Sequence, residues 1–244
     1  MKNNKNKALI IFFCIGLLLT IVGLFGIKDL DSLYEIKEKT YIAKASISNI
    51  VIEHDLYDLK IVESDTDKIK ITYSDSSKKT LEIDEFGDTL NIKERNKRRV
   101  ISFINVDGVF LNPETIIEIP RNSKIRYSIQ SDDSNIELRS IKSDSIEIES
   151  DNGDIILSRV EVSNANLISD NGDITFNDLN ILKDLFIEID NGDITGSLIG
   201  SANDYVFFIH EDNGSVNIPT FNGRGNKVIR IESDNGNIDI DTLN

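Results

Sequence analysis

The tripeptide Asp-Asn-Gly occurs five times in the C-terminal half of the chain, with glycines at Gly153, Gly172, Gly192, Gly214 and Gly236, spaced 19, 20, 22 and 22 residues apart. A period of that length confines the fold to architectures made of stacked supersecondary units. A degenerate copy, Asp132-Asp133-Ser134, stands 19 residues before the first. Five residues before each glycine, or before Ser134, come Ile129, Ile148, Leu167, Ile187, Ile209 and Ile231. Seven before come Tyr127, Ile146, Ala165, Leu185, Phe207 and Ile229. Two after come Ile136, Ile155, Ile174, Ile194, Val216 and Ile238, a candidate core ladder. Four after come Leu138, Leu157, Phe176, Gly196, Ile218 and Ile240, where only Gly196 departs, and seven after come Ile141, Val160, Leu179, Ile199, Phe221 and Leu243.

Apolar and polar residues alternate on both sides of an Asn-Gly pair, which predicts strand, turn, strand: period 2 buries one face, and Asn-Gly accepts the positive φ of a tight turn. The turn residues are Asn152-Gly153, Asn171-Gly172, Asn191-Gly192, Asn213-Gly214 and Asn235-Gly236. One such unit cannot bury its apolar face alone, but stacked units can. The expected fold is therefore all-β, a β-solenoid or parallel β-helix-like stack of coils of about 20 residues, each paired with the next in sequence. A meander of ordinary hairpins is the alternative. Regular coils span residues 125–244. Residues 46–124 repeat the pattern less evenly, with strands expected around Ile50-Val51-Ile52, Leu59-Lys60-Ile61, Ile69-Lys70-Ile71, Leu81-Glu82-Ile83, Leu90-Asn91-Ile92 and Ile116–Ile119.

Ala8 to Ile27 is a run of twenty uncharged residues, about 30 Å as a helix and enough to cross a bilayer's hydrocarbon layer. No small-x-small cleavage site precedes Lys28, so the run reads as one uncleaved transmembrane helix over residues 8–27. Lys2, Lys5 and Lys7 place residues 1–7 in the cytoplasm and the remainder outside the cell. Residues 28–45 are expected to be a juxtamembrane stalk. Cys14, the only cysteine, lies within the span, so the outer part has neither a disulfide nor a thiol nucleophile. With 42 acidic and 27 basic residues in the chain and no acid before Asp29, the outer part is strongly negative. Nucleic acid and anionic lipid are thereby disfavoured as its main partners.

Strands such as LKIVESDTDKIKIT, the Ile119-Pro120 step that leads into IRYSIQSDDSNIEL, and the run of SDNGDI-like copies carry a family signature. Over residues 46–244 the chain resembles the bacterial beta-strand-repeat "putative adhesin" domain, a domain of unknown function on membrane-anchored envelope proteins. The resemblance implies a β-solenoid-like fold on the outer face of a membrane, with some members tied to envelope-stress signalling. It transfers no catalytic residue. Ser134 stands where the family's first turn has glycine.

Stacking would align the turn aspartates into acidic columns, with Asp151, Asp170, Asp190, Asp212 and Asp234 before the glycine and Asp154, Asp173 and Asp193 after it. Asp151, Asp154, Asp170, Asp173, Asp190 and Asp193 are candidate calcium ligands, as in a calcium-stabilised β-roll. The competing reading is ordinary turn chemistry, with the asparagines laddering without metal. Lys93, Arg95, Lys97, Arg98 and Arg99 form a cationic run that reads as an anion site or as a charged edge. His54 and His210 read as surface histidines. Glu147, Glu149, Glu188 and Glu232 point outward without an evident acid-base pair, so a glycan-active β-helix enzyme ranks below a binding role. The sequence thus predicts a non-catalytic, adhesin-like or envelope-sensing surface module with no cofactor. Its expected partners are the membrane and an envelope protein or glycan, with homo-association through the C-terminal edge.

Overall fold

The computed structural model describes residues 37–44, 46–55, 58–75, 79–96, 114–221 and 223–243. The expected transmembrane segment, residues 8–27, lies outside these. Among the described residues no helix is long and apolar enough to cross a membrane.

The described chain is all-β. Its strands are β1 Lys37–Ile42, β2 Asn49–His54, β3 Asp58–Ser64, β4 Lys70–Asp75, β5 Lys79–Phe86, β6 Thr89–Asn96, β7 Glu114–Pro120, β8 Arg126–Ser131 and β9 Ile136–Arg139. They continue with β10 Lys142–Asn152, β11 Ile155–Ser158, β12 Glu161–Asn171, β13 Ile174–Asn191, β14 Ile194–Ile199, β15 Tyr205–Asn213, β16 Val216–Asn217, β17 Lys227–Asn235 and β18 Ile238–Leu243.

Two ladders run through the molecule. One has the spatial order β5, β6, β2, β8, β10, β12, β13, β17, β15. The other runs β1, β4, β7, β3, β9, β11, β13, β14, β18, β16. The long β13 serves both, its first residues in the second ladder and its last in the first. From β6 and β7 onward every pairing is parallel, whereas β5, β4 and β1 join antiparallel at one end. Residues 37–42 are therefore a sheet strand paired with β4, which shortens the expected stalk.

Coils follow chain order only in the middle, from β8/β9 through β10/β11 and β12/β13 to β14. At both ends the order changes. The β17/β18 unit sits between the β13/β14 unit and the β15/β16 unit. Likewise β2/β3 sits between β6/β7 and β8/β9. The expectation that each unit pairs with the next is corrected accordingly, and residues 233–243 are not the edge. The edge strands at that end are β15 and β16. Equal registers permit the exchange, because an isoleucine ladder packs against any unit that offers the same spacing.

Inward faces make one continuous apolar core. Ile136, Ile155, Ile174 and Ile194 are fully buried and Ile238 nearly so. Val216 departs from this ladder at 45% exposure, because it lies on the two-residue edge strand with no coil beyond it. Ile199 and Leu243 also face outward, at 42% and 44%. A register shift between Phe176 and Leu179 pairs Leu179 with Leu198, so Leu198 takes the inward place expected for Ile199. Gly196, the exception at its position, lies across from Phe176. A Cβ there would meet the Phe176 ring at 2.2 Å, so the glycine makes room for the aromatic side chain.

Candidate functional site

The Asp-Asn-Gly corners align into three columns along one edge of the stack. In the glycine column the backbones pack directly on one another. A Cβ on Gly172 would meet the Gly153 carbonyl oxygen at 2.4 Å, and one on Gly236 the Gly192 oxygen at 1.9 Å. Only glycine allows so close an approach. Beside it runs an amide ladder. Asn171 Nδ2 donates to Asn152 Oδ1 at 3.2 Å, Asn191 to Asn171 at 3.1 Å, Asn235 to Asn191 at 3.2 Å and Asn213 to Asn235 at 3.3 Å. Here too the C-terminal unit lies inside the stack.

The aspartates after the glycine form the third column. Asp154 Oδ1 accepts the Asp173 N–H and Asp173 Oδ1 accepts the Asp193 N–H, each at 2.9 Å. Asp193 Oδ1 accepts the Asn237 N–H at 2.7 Å. These carboxylates therefore stitch one coil to the next through backbone donors, a sufficient role for aspartate without a cation. Asp151, Asp170 and Asp190, before the glycine, are solvent-exposed. Partial desolvation by the adjoining corners, then the neighbouring Asp132, Asp170, Glu149 and Asp133, hold the Asp151 carboxyl above its ordinary range. Among the described residues no group of three or more His, Cys, Asp or Glu is arranged to hold a metal ion.

The flanks carry rows of outward side chains. On the first ladder Glu147 lies beside Ser128 and Asn166, which is followed by Phe186 and Arg230. The next row places Glu188 beside Glu232, two carboxylates brought together by the inserted C-terminal unit. Both are exposed on a flat sheet face. On the second ladder the corresponding row includes Ile156, Thr175, Thr195 and Asp239.

Of the cationic run, Lys93 pairs with Glu53 and Arg95 with Glu82. These are charged pairs across strands. Lys97, Arg98 and Arg99 lie outside the described residues. His210 is exposed, with Nε2 3.3 Å from Asp212. His54, by contrast, is fully buried, which corrects its reading as a surface residue. It follows Ile50 and Ile52 on the inward face of β2. Its Nδ1 lies 3.3 Å from Ser134 Oγ and 3.9 Å from Glu94, and its Nε2 lies 3.1 Å from Thr115 Oγ1. The hydroxyl of Ser134, which replaces the turn glycine, thus holds the imidazole. Period-2 counting from Ile50 identifies this position as inward, whereas its neighbours Glu53 and Asp55 suggest a surface.

A shallow hollow of about 410 Å³ opens at the far end, lined by Phe208, Ile209, His210, Arg230 and Glu232 among others. Arg230 lies over the Phe208 ring, 5.4 Å from its centroid.

Glycine-packed corners, parallel coils and long polar flanks define a repeat-built β module with extended outer surfaces. The chain belongs to the Toastrack DUF4097 family, whose model matches residues 47–197 and 128–241. No curated protein matches it. Among solved structures it is similar to a "putative cell adhesion protein" of Clostridium sporogenes. That match has 14% identity and a TM-score of 0.50, and covers 86% of this chain and 100% of the other. A "putative adhesin" of Bacteroides fragilis matches with 14% identity and a TM-score of 0.46 over 86% of this chain and 97% of its own. At such identity the first likeness speaks to the fold.

Proposed function

We propose that this chain is a single-pass, membrane-anchored module that displays a β-solenoid outside the cell and binds an envelope protein or glycan along its flanks without catalysis. The observation that carries the reading is the register of the coils. Residues 145–150 pair one-to-one with residues 164–169, and Ile187 through Ile189 pair with Ile231 through Ser233. Outward side chains therefore repeat at the strand spacing of about 4.8 Å on a rigid support, a surface suited to an extended ligand. The anchor rests on the uncharged run from Ala8 to Ile27 and the lysines before it. The adhesion-related names of the two structural neighbours are in keeping with a surface role.

Two measurements test this. Protease added to intact cells should digest the domain beyond residue 37, and protection until lysis would remove the external placement. Photo-cross-linkers at Glu147 and Asn166, in the first-ladder row, should capture a defined envelope component in cells. Capture no greater than from the buried position Ile148 would remove the flank as the binding surface.

A further inference from the structure

Six asparagines in the chain are followed by glycine, five of them at the stacked corners. Asn-Gly is the dipeptide most prone to cyclise, because the glycine nitrogen has no side chain beside it to block attack on the asparagine carboxamide. The stack withholds that nitrogen at four of the corners. Gly172 donates its N–H to the Asn191 carbonyl at 3.1 Å, Gly192 to that of Asn235 at 3.0 Å and Gly236 to that of Asn213 at 3.2 Å. Gly153 is buried between the corners of Ser134 and Gly172. At the fifth corner Gly214 is exposed, and among the described residues its N–H meets no acceptor, because no layer lies beyond β16. The Asn213 amide is likewise the last rung of its ladder. Oδ1 of Asn152, Asn171, Asn191 and Asn235 each accepts from a neighbouring coil, whereas among the described residues that of Asn213 does not.

This corner also differs on its inner side. Three residues before the other corner glycines, or before Ser134, stand Ser131, Ser150, Ser169, Ile189 and Ser233, all buried. A side chain at this place reaches the corner backbone: Ser131 Oγ accepts the Ser134 N–H at 3.1 Å, and Ser150 Oγ donates to the Gly153 carbonyl at 3.2 Å. At the Gly214 corner the place is held by Glu211. Its Oε1 is buried, has no hydrogen-bond partner among the described residues, and lies 2.8 Å from where a Cβ on Gly214 would sit. A carboxylate oxygen without a donor, at the one exposed corner whose N–H is also unbonded, is placed to act as a general base. We infer that Asn213-Gly214 is a self-modification site, at which Glu211 promotes conversion of Asn213 to aspartate and isoaspartate.

The reaction needs only water. Glu211 takes the Gly214 amide proton, the nitrogen attacks Asn213 Cγ, and a succinimide ring closes as the Cγ–Nδ2 bond breaks and ammonia leaves with that proton. Water then opens the ring at either carbonyl. One water is consumed, one ammonia is released, and nothing is oxidised or reduced. The consequence falls on the last layer. Conversion removes the Nδ2 donor to Asn235 Oδ1 at 3.3 Å and to the Asp234 carbonyl at 3.2 Å, and adds a negative charge next to Asp212. Isoaspartate also lengthens the main chain by one methylene, just ahead of the pairing of Val216 with Ile238. The age of the chain is thereby written into this layer: β15 and β16 loosen from β17 and β18 while the inner coils keep their amides.

The full-length chain in dodecyl maltoside, held at neutral pH in heavy-oxygen water and sampled over weeks, tests this by tandem mass spectrometry. Fragmentation assigns the incorporated oxygen to Asn213 and separates it from Asn191 and from Asn222, whose Asn-Gly pair is not at a corner. In the folded chain Asn213 should convert about tenfold or more faster than Asn152, Asn171, Asn191 and Asn235, and the difference should vanish in urea. Glu211→Gln should slow Asn213 by about tenfold or more and leave the other four corners unchanged. Glu211→Ser, which installs the side chain of neighbouring coils, should do the same, with circular dichroism showing that both variants fold. Conversion of Asn213 no faster than that of the inner corners would overturn the inference. A preference that persists in urea, or a rate indifferent to both substitutions, would do the same.

Discussion

The regular coils around Gly153 to Gly192 and the less regular region around His54 solve the same stacking problem by different means. In the regular coils, cohesion comes from repetition: a glycine column, an amide ladder and carboxylates accepting backbone N–H groups, renewed at every corner. Around His54 the column stops at Ser134, and specific side chains take over. A buried imidazole is held by Ser134 and Thr115, and outside it ion pairs such as Lys70–Glu118 at 2.6 Å join neighbouring strands. Repetition therefore tolerates no side chain at its tightest point, whereas the irregular region depends on particular residues in particular places.

The largest expected effect follows from the glycine column. Gly172→Ala would drive a methyl group into the Gly153 carbonyl, at a φ of +152°, with backbone on both sides unable to retreat. It should cost about 3–5 kcal/mol, or prevent folding, in urea denaturation of the full-length chain in micelles. Ser134→Ala, at the equivalent place in the irregular region, should cost only about 1 kcal/mol. Equal losses would erase the distinction between the two regions. Next comes His54→Ala, which leaves a cavity and two buried hydroxyls without their ring partner. The expected cost is about 2–4 kcal/mol by the same measurement. A smaller loss, about 0.5–1 kcal/mol, is expected for Asn171→Ala, which removes one exposed rung of the ladder.

The smallest effects separate the regions by sign. Partial desolvation and neighbouring carboxylates raise the Asp151 pKa above 3.8, so the folded state holds this proton more tightly than the unfolded chain and loses stability as pH rises through the raised value. Glu118 is lowered below 4.5, first by the Lys70 hydrogen bond and also by Ser64. Its contribution is present above 4.5 and is lost as pH falls through the folded value. Asp151→Asn should thus stabilise slightly at neutral pH and Glu118→Gln should destabilise slightly. Both differences should fade as denaturation curves are taken from about pH 7 to about pH 3.

Alternation and the Asn-Gly spacing made the strands, corners and most of the buried ladder legible in the sequence, because period 2 and positive φ are local requirements. Partner choice was not legible. When every unit offers the same register, nothing local says whether residues 227–243 dock beside residues 205–217 on the outer or the inner side. Gly196 interrupts the apolar pattern because the Phe176 ring across from it fills its space, and only the register shift tells Leu198 from Ile199 as the inward residue. The acidic columns were visible, but whether their oxygens faced a cation or a backbone N–H depended on the distance between coils.

The out-of-order placement of β17/β18 has a consequence for synthesis. A stack assembled in chain order could add each layer as it emerged from the ribosome. Here β15 and β16 emerge before β17 and β18, the unit that lies between them and β13/β14 in the finished stack. A product cut short before residue 227 would lose one layer by sequence and a second by orphaning, leaving Ile194 and Leu185 at a raw end. The two layers at this end are thus joined to the body only through residues 227–243.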